Sequence, residues 1–158
     1  MIKFEKIKKE QFDKDISENV CAIGNYEDIK LPERSTEGSA GYDFYSPVKL
    51  DCIPGVWYTI PTGIKFVTDR KDIVLLCVPR SGLGCKKHFA LLNTIGVIDS
   101  DYQYAQNDGH IMIKFKVDIE LSISPGDKIL QGIIIPYLTV DEDETNVKRT
   151  GGFGSTGK

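Results

Sequence analysis

The sequence predicts an all-β fold with one short helix near its start, and three observations carry that reading. Beyond about Ile29 the helical spacing of apolar residues disappears. From there short apolar runs stand between turn signals at Pro54-Gly55, Pro61-Thr62-Gly63, Ser81-Gly82 and Pro125-Gly126. The runs recur without helical segments between them, as in a sandwich, jelly roll or barrel rather than an alternating parallel fold.

Taken in order, Met1 to Ile7 alternates Ile2 and Phe4 with Lys3 and Glu5 and reads as a strand. Lys8 to Asn19 places Phe12 and Ile16 four apart, on one face of a short helix. Strands are then predicted over Gly41 to Ser46, Trp57 to Ile60, Lys65 to Thr68, Ile73 to Val78, His110 to Val117, Glu120 to Ile123 and Lys128 to Pro136. Ile95, Val97 and Ile98 have the β-branched composition of a buried strand, and Gly96 among them lets another group approach the backbone. No internal repeat interrupts this series. After Leu138 the chain turns acidic through Asp141 to Glu144 and ends in a glycine-rich run to Gly157 that cannot pack a core of its own.

A length of 158 residues suits one domain with a real core. A hydrophobic fraction of 41%, a charged fraction of 27% and a net charge of -3 are those of an ordinary soluble protein without a general basic footprint for nucleic acid. Any phosphate site is therefore local. The longest aliphatic runs are far too short to span a bilayer, and the charged start Met1 to Glu10 lacks a signal peptide's apolar segment, so a cytoplasmic protein without membrane attachment is expected. The four cysteines, Cys21, Cys52, Cys77 and Cys85, form no C-x-x-C pair and are expected to be free thiols.

Five stretches carry side chains suited to chemistry. In Asn93 to Tyr102 a tight turn, Asp99-Ser-Asp101, delivers an acid at a strand end and then the flat face of Tyr102, although Asp and Ser are also ordinary turn residues. Pro79-Arg-Ser-Gly-Leu-Gly84 gathers a cation, a hydroxyl and glycine-exposed backbone N–H groups as in a phosphate nest, or as in a plain turn. Gly126-Asp-Lys-Ile-Leu-Gln131 leads into a buried strand with one amide among aliphatics. Gly38-Ser-Ala-Gly-Tyr-Asp43 is a glycine-rich strand entry carrying a lone acid. The tail offers Arg149, Phe153, Ser155 and Thr156 for stacking on a base and holding phosphate, where a terminus without ordered structure is the common alternative.

In residue type and order, Ala40-Gly-Tyr-Asp-Phe-Tyr-Ser46, Pro79-Arg-Ser-Gly-Leu-Gly84, Gly96-Val-Ile-Asp-Ser-Asp-Tyr102, Gly126-Asp-Lys-Ile-Leu-Gln131 and Gly151-Gly-Phe-Gly-Ser-Thr-Gly157 resemble the five motifs of the trimeric dUTPase family, the deoxyuridine 5′-triphosphate nucleotidohydrolases. The resemblance covers roughly Leu31 to the end. It implies a distorted jelly-roll, β-clip fold forming a single domain over residues 1–158, with 1–30 as an N-terminal extension and 146–158 as a mobile C-terminal arm. It also implies a homotrimer whose three active sites each draw motifs from all three chains.

The reaction implied is hydrolysis of dUTP to dUMP and pyrophosphate, by attack of water on the α-phosphorus with Mg²⁺ on the triphosphate. Asp99 matches the family's catalytic aspartate, a general base that orients and activates the water. Tyr102 matches the tyrosine beneath the deoxyribose, whose ring leaves no room for a 2′-hydroxyl. Uracil is read largely by main chain in a hairpin from about Asn93 to Met112, with Asn93, Val97, Ile98 and Met112 as contacts. Arg80, Ser81 and Gly82 match phosphate-holding positions, Gln131 contacts the α-phosphate region, and Asp43 faces the Mg²⁺ shell through water. Arg149, Phe153, Gly154, Ser155 and Thr156 form the closing arm.

Two departures stand out. The family's arm arginine precedes its phenylalanine by five residues, whereas Arg149 precedes Phe153 by four and Lys148 occupies the expected place. Tyr104-Ala-Gln-Asn-Asp108 is inserted before Gly109, where the family turns at once into the next strand, so the hairpin rim is enlarged. The related dCTP deaminases need a glutamate on that next strand, where Lys114 stands. A nucleotide-responsive regulatory binding protein is the alternative of another class, and release of pyrophosphate from dUTP separates it from an enzyme.

Overall fold

A computed structural model describes residues 1–149, 151 and 152. The predicted Phe153, Gly154, Ser155 and Thr156 contacts lie outside the described residues. The chain opens with β1 (Ile2–Lys6) and α1 (Lys9–Ser17), both expected from the sequence. In α1 Phe12 is fully buried, and Lys9 pairs with Asp13 one turn on at 2.8 Å.

The body is built from β2 (Ile23–Gly24), β3 (Glu33–Arg34), β4 (Tyr42–Tyr45), β5 (Val48–Cys52), β6 (Tyr58–Pro61), β7 (Ile64–Thr68) and β8 (Ile73–Pro79). It continues through α2 (Ser81–Lys87), β9 (Ala90–Leu91), β10 (Gly96–Asp99), β11 (Met112–Lys116), β12 (Leu121–Ile123) and β13 (Lys128–Pro136). The largest sheet has the order β10-β8-β13-β4-β3. Around it lie two three-stranded sheets, β6-β11-β9 and β12-β5-β2, and the β1-β7 pair. Among the described residues every strand pairing is antiparallel, as in jelly-roll-like β folds.

The first thirty residues belong to this body. β1 pairs with β7 over five residues, and Phe4 meets Phe44 and Phe66 with ring centroids 5.4 and 5.9 Å apart. Ile7, Phe12 and Ile29 join the same core as Phe44, Leu75 and Phe115. Burial of side chains of this size contributes about 2–3 kcal/mol each, enough to fix where the extension lies.

The structure corrects the sequence reading at two places. Beyond Ile29 the chain forms a second helix, α2, beginning one residue after Arg80, so the expected glycine nest is a helical turn. Its Leu83 and Gly84 N–H groups both donate to the Arg80 carbonyl, at 3.0 and 2.8 Å. Gly82 and Gly84 are poor helix formers, and the turn is held instead by Leu83 packing on the core. A strand does form there, over Gly96–Asp99, but on the edge of its sheet, leaving Ile95 just before it exposed and Val97 56% exposed. Gly96 is close-packed as expected: a Cβ there would lie 3.1 Å from that of Cys77 on β8. All four cysteines are free. Among the described residues no helix is long and apolar enough to cross a membrane.

Candidate functional site

Pairing with β8 brings β10 to its end at Asp99, opposite Val74. The chain then turns sharply through Ser100 and Asp101 into a short 3-10 turn, Tyr102–Tyr104. Gln103 pins this turn, its side-chain amide donating to the carbonyls of Thr68 and Ser100, each at 2.7 Å. The enlarged rim closes at Gly109, whose φ of +68° and approach to Gln103, 2.8 Å from an added Cβ to the Gln103 Cα, admit no side chain. The chain then returns as β11.

Between β10 and β11 opens a cleft of about 530 Å³. Its wall includes Asn93, Val97, Ile98, Asp99, Tyr102 and Met112, six residues expected from the sequence to act together. Lys114 lies on the same wall. Tyr102 is 6% exposed, and burial pushes its phenol above the usual range. Its hydroxyl donates to the His110 carbonyl at 3.1 Å and accepts from the Asn107 amide at 3.0 Å.

Arg149 reaches this cleft from the far end of the chain. It donates to Asp99, to Asp101 at 2.7 Å, and its guanidinium stands 5.7 Å from the Tyr102 ring centre. Burial works against the Arg149 charge, but the hydrogen bond and charge of Asp101, with Asp99 behind them, outweigh it and hold the guanidinium more basic than usual. Lys148 is exposed. Of the two cations that compete for the arm position, Arg149 is therefore the one turned into the cleft.

A second constellation is centred on Asp43, 1% exposed in the middle of β4. Its oxygens meet Lys128 Nζ at 2.8 Å, Arg80 Nε at 3.0 Å, Ser35 Oγ at 2.6 Å and Gln131 Nε2 at 3.4 Å. Burial acts to raise the Asp43 carboxyl, but the hydrogen bonds from Lys128 and Ser35, with the Arg80 charge and Gln131 behind them, hold it below the usual carboxylate range. An irregularity in the register of β13 between Lys128 and Leu130 lies beside this hub, as bulges often do where a side chain is re-aimed. Arg80, Gly82 and Lys128 line a hollow of about 440 Å³. Exposed Ser81 begins the adjoining helix.

The expected residues thus fall into two groups within one chain. Asn93, Val97, Ile98, Asp99, Tyr102, Met112 and Arg149 share the cleft, whereas Arg80, Ser81, Gly82, Asp43 and Gln131 gather around the hub. Asp43 is flanked by two cations, Arg80 and Lys128, so its carboxylate is already charge-paired within the chain. Sequence reasoning also overlooked Asp101, Lys128, Ser35 and Asn107 as partners. Asp101 and Lys128 stood inside the stretches singled out, and their charge was the available signal; Ser35 gave none.

Comparison with known proteins identifies the family. A family model described as dUTPase matches residues 27–157. The deoxyuridine 5′-triphosphate nucleotidohydrolase of Lactococcus lactis is 42% identical over 134 residues, covering 82% of this chain and 89% of that protein. Its counterpart in Albidiferax ferrireducens is 36% identical over 138 residues, with the same coverage. Among solved structures, the dUTPase of Streptococcus mutans superposes with a TM-score of 0.68 at 30% identity, over 88% of this chain and 98% of that one. The dUTPase of Staphylococcus bacteriophage 80alpha gives 0.66 at 20% identity, over 98% of this chain and 99% of that one, a likeness of fold. With the family model spanning most of its length and the motif residues gathered about one cleft and one charged hub, this chain belongs to the dUTPase family.

Proposed function

We propose that the protein hydrolyses dUTP to dUMP and pyrophosphate, with Asp99 as general base. The observation that carries this is the joint delivery of Asp99 and Tyr102 to one cleft by one tight turn. An acid held at a strand end orients a water for in-line attack on the α-phosphorus and takes its proton, while pyrophosphate leaves. The Tyr102 ring is the wall beneath the deoxyribose, and a ribose 2′-hydroxyl has no space against it. The backbone of β10 and β11, with Asn93 and Met112, reads the uracil edge.

Arg80, Ser81 and Gly82 hold phosphates, and Gln131 lies toward the α-phosphate. Asp43 serves them by fixing Arg80, Lys128 and Gln131 in place, and preset donors of this kind stabilise charge that spreads during phosphoryl transfer. Magnesium enters as part of the substrate, the Mg²⁺ complex of dUTP. Because the base-and-sugar group and the phosphate group lie around separate hollows of one chain, a site that uses both is completed between chains, and a homotrimer supplies it. Arg149, Phe153, Gly154, Ser155 and Thr156 act as the arm that covers the nucleotide.

The test is pyrophosphate release by pure protein from dUTP, dTTP, dCTP and UTP. Turnover confined to dUTP supports the proposal, and no release from dUTP overturns it. Shared sites are tested by co-expressing Asp99→Asn with Arg80→Ala chains. At equal mixing about a quarter of sites, half times half, pair an intact Asp99 with an intact Arg80, so activity returns to roughly that fraction; none returns if both residues act from one chain.

A further inference from the structure

We propose that Asn107, supplied by the inserted rim, is a positioning residue that fixes the Tyr102 ring and so sets discrimination between deoxyribose and ribose. The inference rests on the reading of Tyr102 as the sugar wall. The phenol of Tyr102 has two hydrogen-bonding directions, and both are occupied within the protein. It donates to the His110 carbonyl at 3.1 Å and accepts from Asn107 Nδ2 at 3.0 Å. The same Nδ2 also donates to the His110 carbonyl, at 3.1 Å. Since that carbonyl only accepts, the Asn107 nitrogen is the atom facing it, and the orientation of the amide follows.

The triangle is anchored from behind. His110 is fully buried, and its Nε2 accepts the Gly63 N–H at 2.8 Å, which places the ring proton on Nδ1. Nδ1 then donates to Asp15 on α1, at 2.5 Å. The carbonyl that receives Tyr102 and Asn107 is thus tied through its own side chain to the N-terminal helix and to the turn before β7. A ring held at its hydroxyl end by two partners cannot tilt away from an intruding 2′-hydroxyl without breaking both bonds. The hydrogen bonds of Asn107 go to the Tyr102 hydroxyl and to the His110 carbonyl that also receives that hydroxyl, so its contribution passes through Tyr102.

Steady-state kcat/KM for dUTP and for UTP would be measured on wild type, Asn107→Ala, Tyr102→Phe and the double variant. The loss of one such hydrogen bond corresponds to about a 5-fold change. Asn107→Ala should lower the dUTP-to-UTP ratio of kcat/KM by about that factor, and adding it to Tyr102→Phe should lower the ratio no further. An unchanged ratio in Asn107→Ala, or full additivity in the double variant, overturns the proposal. If Asn107→Ala does not fold, Asn107→Ser, too short to reach the phenol, carries the same expectations. Tyr102→Ala separates the two levels: a ratio unaltered there removes the sugar-wall reading itself, whereas a ratio altered by Tyr102→Ala and untouched by Asn107→Ala removes only the role given to Asn107.

Discussion

Arg149 lies between two carboxylates, donating through Nη2 to Asp99 and through Nε to Asp101 at 2.7 Å. The proposed base is thereby covered by a cation of its own chain, beside the Tyr102 ring. On the proposed reading, a nucleotide seated on that ring displaces the guanidinium, and its phosphates offer the displaced charge a new partner.

Replacing Asp99 by asparagine removes the proton acceptor while keeping the shape of the turn. Turnover should fall by about 10²-fold or more, with binding of a non-hydrolysable dUTP analogue and the melting temperature nearly unchanged. Near-wild-type pyrophosphate release by this variant would remove Asp99 from its role.

Arg149→Ala should leave the folded body intact, because the residue packs no core, and should lower kcat/KM for dUTP by about 10²-fold, the scale of losing one fixed donor to a developing anion. Truncation after Val147 should have at least this effect at an unchanged melting temperature. Calorimetry beside a pyrophosphate assay checks both, and a truncated protein with full activity contradicts the arm.

Acid should weaken the fold through Asp43 and Asp15. Burial acts to raise the Asp15 carboxyl, but hydrogen bonds from His110 and Gln11 hold it low, and Asp43 is held low by its cations. Both therefore contribute stability that is present above the unfolded value near 3.9 and is lost as pH falls through the lower folded values. Urea midpoints measured from pH 6 down to pH 3 should decline, and the decline should be shallower in Asp43→Asn. That variant also removes the anion that Arg80 and Lys128 share and should cost about 2 kcal/mol at pH 7, the scale of a lost hydrogen bond to a charged group.

Phe12→Ala tests whether the N-terminal segment is integral to the body. A fully buried aromatic replaced by alanine costs about 3–5 kcal/mol, or about 10 °C in melting temperature for a chain of this length. A shift under 2 °C would show that α1 folds independently of the sheets.

Most of the larger elements were legible because their apolar residues repeat locally. β13 and β8 are long aliphatic runs, and the Phe12 and Ile16 pair marked α1. β5 carries a visible alternation, with Val48, Leu50 and Cys52 buried and Lys49 and Asp51 exposed, but only two residues separate it from β4 and blur its start. β2, β3 and β9, of two residues each, are too short to show any period. α2 was hidden by Gly82 and Gly84, whose local preference the packing of Leu83 overrides. At the site, the acid, the tyrosine and the hairpin assigned to uracil are contiguous in sequence and could be read together. The bonds of Asp43 to Arg80 and Lys128, and of Asp15 to His110, join residues far apart in the chain, and only the sheet order brings them into contact.

The edge position of β10 bears on how the protein keeps in solution. Its outer backbone groups, flanked by the exposed side chains of Ile95 and Val97, are of the kind that recruits strands from other molecules, and no lysine or proline within Gly96 to Asp99 blunts them. Those same groups are the ones assigned to the base, so the edge cannot be shielded without losing its use. Concentrated stocks should accordingly cloud sooner without nucleotide than with it, and a bound dUTP analogue should act as a stabilising additive whose benefit grows with the logarithm of its concentration.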